Sequence, residues 1–249
     1  MTKPVRVLFA GPSGRTGRAT GAALDLMSGV EIVGAVGQAS AGRDLGEIWH
    51  GKADGRHIYG AVGDAMSELA PDVLCDFTRA EVAESHLRLA LMSGVRPVIG
   101  TTGVTDSALR DADALCRQRG LSGAVIANFS VVAWLVERIA QMALPYFEGV
   151  EVIEMHTATK RDKPSGTALR LARVLEAQGE REVPVHSVRL PGLVAHQEVL
   201  LGSPGEVLTL RHDALDRSCY AAGLRLSVLG IREKEGLVRD LGAFLPPLA

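Results

Sequence analysis

The chain is poor in the residues that staple small secreted domains. Its 249 residues include only three cysteines, Cys75, Cys116 and Cys219, an odd set with no Cys-x-x-Cys pair. Neither a disulfide framework nor a zinc or redox thiol site is expected, no metal site is read, and a reducing cytoplasm is the expected location. No apolar run reaches the roughly 18 residues that span a bilayer, so no membrane partner is expected. The opening MTKPVRVLFAGPSG has only a short apolar run leading into a glycine turn. It lacks the longer apolar core and cleavage site of a secretory leader and reads as a first strand. A formal net charge of −2 produces no whole-molecule field toward nucleic acid or anionic lipid, so nucleic acid is not an expected partner either. Internal repeats and low-complexity segments are missing too.

What is present is ordinary globular composition, 47% hydrophobic and 22% charged, in a length that suits one large or two average domains. VRVLFA at 5–10 is a β-rich run, followed by a glycine turn and alanines and leucines at helical spacing. VEIVGAV (30–36), DVLCDFT (72–78), RPVIGTTG (96–103) and SGAVIANFS (122–130) read as further strands. AEVAESHLRLALMSG and DSALRDADALCRQRG read as helices, each closed by a glycine suited to a helix C-terminus. This alternation predicts a parallel sheet with helices on both faces. After Asn128 the pattern changes to a long amphipathic helix (VVAWLVERIAQMAL), a strand (VEVIEMHT), a helix (GTALRLARVLEAQG) and three consecutive strands, VHSVRL, AHQEVLLGS and EVLTLRHDA, with a tight turn at GSPGE. The expected fold is therefore α/β, a Rossmann-like parallel sheet domain with a second α+β domain built on an antiparallel or mixed sheet. The tail RSCYAAGLRLSVLGIREKEGLV, from Arg217, reads as helical and as returning to the first domain.

Gly11, Gly14 and Gly17 lie between the first strand and first helix, where backbone N–H groups can cradle a dinucleotide pyrophosphate. The spacing is G-x-x-G-x-x-G, looser than G-x-G-x-x-G, but strand and helix flank it as that chemistry requires. A second small-residue turn, GTTG at 100–103, follows another strand of the same sheet.

The stretch HTATKRDKPSGTA, 156–168, packs one imidazole, three cations, one carboxylate and a Ser-Gly-Thr turn into thirteen residues. Ser165 is placed to cap a helix whose Gly166 and Thr167 amides face an anion. Lys160 supplies a point charge, and His156 is the side chain whose proton moves near neutral pH, hence the candidate general acid. Such a run is often no more than a solvated loop and a cap. With a dinucleotide turn elsewhere in the chain, a substrate site for a small anion such as a carboxylate is the better reading.

These residues carry a resemblance. EMHTATKRDKPSGTA resembles the E-x-H-H-x-x-K-x-D-x-P-S-G-T-A signature of the dihydrodipicolinate reductase family, keeping Glu154, His156, Lys160, Asp162, Pro164, Ser165, Gly166, Thr167 and Ala168. GPSGRTGR is similar to the family's glycine turn, CDFT to its D-F-T, and IGTTG and ANFS to its later cofactor loops. The resemblance implies hydride transfer from NADPH or NADH to a cyclic dicarboxylated imine, giving tetrahydrodipicolinate on the diaminopimelate route to lysine. It implies a dinucleotide-binding domain, 1–128 completed by 217–249, a substrate-binding and tetramerisation domain, 129–216, and a homotetramer. Carried over by residue, it implies catalysis by His156 and Lys160 and substrate contacts from Thr157, Ser165, Gly166 and Thr167. Cofactor contacts fall on Gly11, Pro12, Ser13, Gly14, Arg15, Thr16, Gln38, Phe77, Gly100, Thr101, Thr102, Ile126, Ala127, Asn128 and Phe129. Two departures stand out: Thr157 replaces the second histidine, and Gln38-Ala39 ends the second strand where an acid followed by Arg is common. The rival readings are another two-domain dehydrogenase acting on an amino acid or sugar, and a non-catalytic dinucleotide-sensing regulator.

Overall fold

A computed structural model describes residues 3–179 and 181–247, and the chain divides into two compact units, Met1–Phe129 with Arg217–Ala249, and Ser130–Asp216. In the first unit β1 (Val5–Ala10) is followed by α1 (Arg15–Asp25), β2 (Val30–Val36), α2 (Leu45–His50), β3 (Ile58–Tyr59), α3 (Val62–Leu69) and β4 (Val73–Asp76). Then come α4 (Ala80–Met92), β5 (Arg96–Ile99), α5 (Asp106–Arg119) and β6 (Ser122–Val125). The second unit holds α6 (Val131–Ala143), β7 (Gly149–His156), α7 (Gly166–Gly179), β8 (Val185–Arg189), β9 (Ala195–Ser203) and β10 (Glu206–Ala214). α8 (Ala221–Gly230) and β11 (Gly236–Val238) belong to the first unit again.

The first unit's seven strands are all parallel, in the order β11-β6-β5-β4-β1-β2-β3. β1 lies inside the sheet, and Val7, Leu8, Phe9 and Ala10 have no exposed surface, as befits a strand covered on both faces. Each such Val, Leu or Phe contributes about 1.5–3 kcal/mol through burial. The strand order reverses at β1, between β2 and β4, so the crevice outside the carboxyl ends of β1 and β4 is where such sheets bind ligands. α4 and α5 end at glycines with left-handed backbone, Gly94 (φ 79°) and Gly120 (φ 62°), the conformation their missing Cβ makes cheap.

Three strands stop sooner than the sequence patterns indicate. β4 ends at Asp76, β5 at Ile99 and β6 at Val125, which frees Phe77–Thr78, Gly100–Thr102 and Ile126–Phe129 as loops at the sheet's carboxyl edge. Two helices and a two-residue strand between residues 45 and 69 leave no clear pattern in the sequence. The tail is a correction: α8 occurs where helix was expected, but Gly236–Val238 is a strand that pairs with β6. Three residues are too few to show alternation, and the strand is held by tertiary contacts, the Leu237 amide donating to Asp113 Oδ1 at 2.8 Å. Phe129, placed at the head of the second segment by sequence, closes the first unit, its ring 6.0 Å from that of Phe77.

In the second unit β7 pairs with β8 in parallel and with β9 antiparallel, and β9 pairs antiparallel with β10, a mixed sheet. Val150, Val152, Val199 and Leu201 on one face pack with Val136 and Ala140 of α6 and Leu171 and Leu175 of α7. Period-two alternation sends Glu151, Glu198, Arg211 and Asp213 to the other face. Pro204 and Gly205 turn β9 into β10, Gly205 having the positive φ (87°) that a type II turn needs at its second central residue.

Spacing alone does not rank the three turn glycines, but packing does. A Cβ on Gly17 would lie 2.0 Å from the Gly11 carbonyl oxygen, whereas one on Gly14 would meet that oxygen at 3.6 Å. Gly17→Ala is therefore expected to destabilise the protein by about 2–3 kcal/mol, and Gly14→Ala by less than about 1 kcal/mol. Urea denaturation of the two variants checks the ranking.

Candidate active site

At the carboxyl edge of the parallel sheet the chain leaves β1 through Gly11, whose φ is 85°. Its missing Cβ matters a second time, since a Cβ there would lie 2.6 Å from the Phe77 carbonyl oxygen. Gly14 is the N-cap residue of α1, no side chain caps this helix, and its first turn contains no acid. The first amides therefore present partial positive charge to an incoming anion. Ser13, Gly14 and Arg15 are exposed and Thr16 is half-buried, while Pro12 is buried and its carbonyl accepts from Trp49 Nε1 at 3.1 Å.

Phe77 is the piece around which these loops close. Its ring stacks on Phe9 at 5.5 Å, and Phe9 meets Trp49 edge-on at 5.2 Å. A Cβ on Gly100 would lie 2.4 Å from the Phe77 ring. Not every expected contact residue offers its side chain to the surface. Ile126 and Phe129 are buried, leaving Ala127 exposed and Asn128 half-buried, and Thr101 is buried while Thr102 is exposed. Gln38 and Ala39 are exposed just after β2.

In the second unit the candidate side chains lie along β7 and the loop after it. Residues 154 and 156 are two apart on a strand and share a face. Glu154 is fully buried. Its carboxylate takes a two-pronged pairing from Arg189 at 2.6 and 2.9 Å, the Ser165 amide at 3.3 Å, and His156 Nδ1. Arg189 also donates to the Asp162 carbonyl at 2.7 Å, so one guanidinium pins the loop while neutralising the buried charge. Lys160 is turned back by its amide bond to the Thr157 carbonyl, 3.0 Å, and its Nζ pairs with Asp162 Oδ2 at 2.8 Å. Ser165 caps α7 by accepting from the Ala168 amide at 3.3 Å. Gly166 and Thr167 are exposed, and nothing lies within 4 Å of where a Gly166 Cβ would be. Thr157 is half-buried at the start of the same loop.

Burial alone would raise the pKa of Glu154, but the Arg189 and His156 contacts outweigh it and hold the carboxyl below its ordinary 4.5. His156 is held below 6.5, first by burial and then by the nearby charges of Lys160 and Arg189, against the opposing pull of Glu154. An ionised carboxylate only accepts, so the neutral ring carries its hydrogen on Nδ1 and leaves Nε2 as a lone pair. Sequence reasoning assigned no role to Glu154 and missed Arg189 altogether. Glu154 lies inside the charged motif, two residues before His156; Arg189 has no signal beyond being a cation at the end of a short strand.

A doubly wound sheet with an uncapped glycine turn, together with a mixed-sheet unit carrying a titratable imidazole and a cationic loop, defines a two-unit dinucleotide-linked oxidoreductase. Two family models match, "Dihydrodipicolinate reductase, N-terminus" over residues 5–129 and "Dihydrodipicolinate reductase, C-terminus" over 129–245. The chain belongs to the dihydrodipicolinate reductase family. It is 41% identical to the 4-hydroxy-tetrahydrodipicolinate reductase of Symbiobacterium thermophilum over 96% of each chain. The Bacillus subtilis enzyme of that name is 34% identical over 95% of this chain and 96% of its own. The solved dipicolinate-bound dihydrodipicolinate reductase from Paenisporosarcina sp. TG-14 is 32% identical, with a TM-score of 0.85 covering 98% of this chain and 100% of that one. An amine dehydrogenase from Mycobacterium smegmatis, 14% identical with a TM-score of 0.72 over 100% and 98% of the two chains, shares the fold alone.

Both depressed pKa values act in the same direction on stability. Below pH 6.5 the unfolded chain takes up a proton at residue 156 that the folded chain refuses, and below 4.5 it does so at residue 154. The unfolded state then binds more protons, so stability falls as pH falls. Stability measured by denaturation is expected to decline from pH 7 to pH 4. Glu154→Gln is expected to lower it at pH 7, by leaving Arg189 buried without its counter-charge, and to flatten the portion below pH 4.5.

Proposed function

We propose that this chain reduces the cyclic imine product of dihydrodipicolinate synthase to tetrahydrodipicolinate, with the nicotinamide dinucleotide held by unit 1 and the dicarboxylate by unit 2. The observation that carries the reading is the Glu154–His156–Arg189 cluster, on the ends of β7 and β8, bonded through the Ser165 amide to an open, capped helix start at Ser165, Gly166 and Thr167. The residues of unit 1 fit the dinucleotide, since Gly11 and Gly17 leave no room for a Cβ against the turn and the start of α1 has no side-chain cap. When bound, the reduced nicotinamide supplies a hydride.

The chain's own residues do the rest. Exposed Gly166 and Thr167 amides and the Thr167 hydroxyl grip one substrate carboxylate. Lys160 exchanges its Asp162 partner for the anionic substrate, and Thr157 offers a hydroxyl where the family pattern has a second imidazole. His156 begins neutral, and two substrate carboxylates favour its protonation at Nε2, while Glu154 keeps the ring oriented through Nδ1. That proton goes to the ring as the hydride arrives on carbon. A substrate that carries a 4-hydroxyl, as in the relatives' name, also loses it as water, and the net change on the dehydrated ring is the addition of two hydrogens. Gly11 to Thr16, Gln38, Phe77, Gly100 to Thr102 and Ile126 to Phe129 make up the cofactor face, with Ile126 and Phe129 acting through backbone.

No helix among the described residues is long and apolar enough to cross a membrane, and three free cysteines support a cytoplasmic setting. Ile153, Met155, Leu200 and Val207, on the sheet face turned from α6 and α7, support self-association as a homotetramer. Sedimentation at a single 26.3 kDa mass would count against it.

Supplying freshly generated synthase product and following the loss of reduced nicotinamide absorbance tests the reading. Absence of turnover would favour the sensing regulator, and turnover only with another substrate a different dehydrogenase. Lys160→Ala is expected to lower kcat/KM at least a hundredfold, about 3 kcal/mol of transition-state binding, with cofactor affinity unchanged. At the end of β2 the neutral Gln38 neither accepts strongly from a ribose nor repels a 2′-phosphate. NADPH and NADH are both expected to serve, with kcat/KM values within about thirtyfold, or ~2 kcal/mol. Gln38→Asp is expected to shift preference toward NADH in steady-state kinetics, and no shift would remove Gln38 from cofactor choice.

A further inference from the structure

Asp76, the last residue of β4, has no exposed surface, and its carboxylate takes no part in the chemistry proposed above. Oδ1 accepts from the Thr78 amide at 2.9 Å, the Thr78 hydroxyl at 2.7 Å and the Thr101 hydroxyl at 2.8 Å. Oδ2 is paired with His86 Nδ1 of α4 at 2.6 Å, and His86 is itself buried. The Gly100 amide adds a bond to the Asp76 carbonyl at 2.8 Å.

A buried carboxylate carries a large desolvation cost unless donors surround it, and here the donors come from three places. The loop after β4, the loop after β5 and helix α4 are tied to one side chain. Between those bonds sit Phe77 and Gly100, whose contact is so close that a Cβ on Gly100 would enter the ring. The ring also stacks on Phe9 of β1. Moving Thr78 or Thr101 would therefore displace Phe77 and Gly100 together, at the edge where the glycine turn lies.

We infer that Asp76 and His86 form a latch that positions the loops after β4 and β5 for the dinucleotide, with His86 a positioning residue that touches no ligand. The inference rests on the reading that these loops hold the cofactor. If His86 merely filled space, an apolar side chain of similar size would replace it and cofactor affinity would not respond. If it positions the loops through Asp76, the effect concentrates in cofactor binding and is recovered by a side chain that keeps a donor where Nδ1 stands. Asparagine does so.

The test measures NADPH binding by its fluorescence, with cofactor and imine KM values, for wild type, His86→Leu, His86→Asn and Thr78→Val. Expected are a rise of about tenfold or more in NADPH Kd and KM for His86→Leu and about threefold for Thr78→Val, an imine KM within about twofold, and recovery of most of the affinity in His86→Asn. Should His86→Leu fail to fold, Thr78→Val carries the test, because it removes one hydroxyl donor at a half-buried position. Unchanged NADPH affinity in the folded variants, or equal losses for both substrates, would overturn the latch and leave the cofactor reading standing. A wild-type protein that binds neither NADPH nor NADH would overturn that reading and the latch with it.

Discussion

A carboxylate shut away from water has to be met by donors on every side, and in the second unit Glu154 imposes that demand on everything near it. Arg189 answers from the neighbouring strand, Ser165 from the start of α7, and His156 from two residues along β7. Because Arg189 also reaches the Asp162 carbonyl, the loop bearing Lys160 is held at both ends by the same charge pair. The proposed acid, the proposed cation and the anion-facing helix start are thus coupled through one buried side chain. This is the arrangement expected where a catalytic group must keep one orientation through a change of charge.

The first unit is governed by a different constraint, close approach. Gly11, Gly17 and Gly100 each stand where a methyl group would collide with backbone or with the Phe77 ring. The glycines therefore serve two ends: they allow the tight turn, and they let an aromatic residue serve as the common surface for neighbouring loops. Trp49 reaches the turn through the Pro12 carbonyl and extends the aromatic line from Phe9. A pyrophosphate held by uncapped amides depends on those amides staying where they are, and here apolar packing beneath the loops supplies the rigidity.

Much of this is legible in the order of residues alone. Alternation of apolar runs and glycine turns identifies the parallel sheet, because a strand buried on both faces is apolar throughout and its helical connections are not. The density of charge between His156 and Thr167 marks the loop proposed for the substrate, because such clustering serves little purpose in an otherwise mixed chain. Other features have no local signal. β11 is three residues long and exists through pairing with β6. Pattern overestimates the lengths of β4, β5 and β6 because Phe77, Thr101 and Ile126 are as suited to strands as to loops.

By itself the sequence determined which chemistry was on hand: a glycine turn before a helix, an imidazole and a lysine four residues apart, and a Ser-Gly-Thr helix start. Those are properties of residue type and spacing over a dozen positions, where backbone geometry is nearly fixed. Only the tertiary structure decided what holds them: that Arg189, 35 residues from Glu154, closes the buried charge, that Asp76 and Thr101 meet across 25 residues, and that Phe77 stands against both Gly11 and Gly100. Contacts of that range depend on strand order and register, which a linear pattern does not encode, and burial then turns each of them from optional into required.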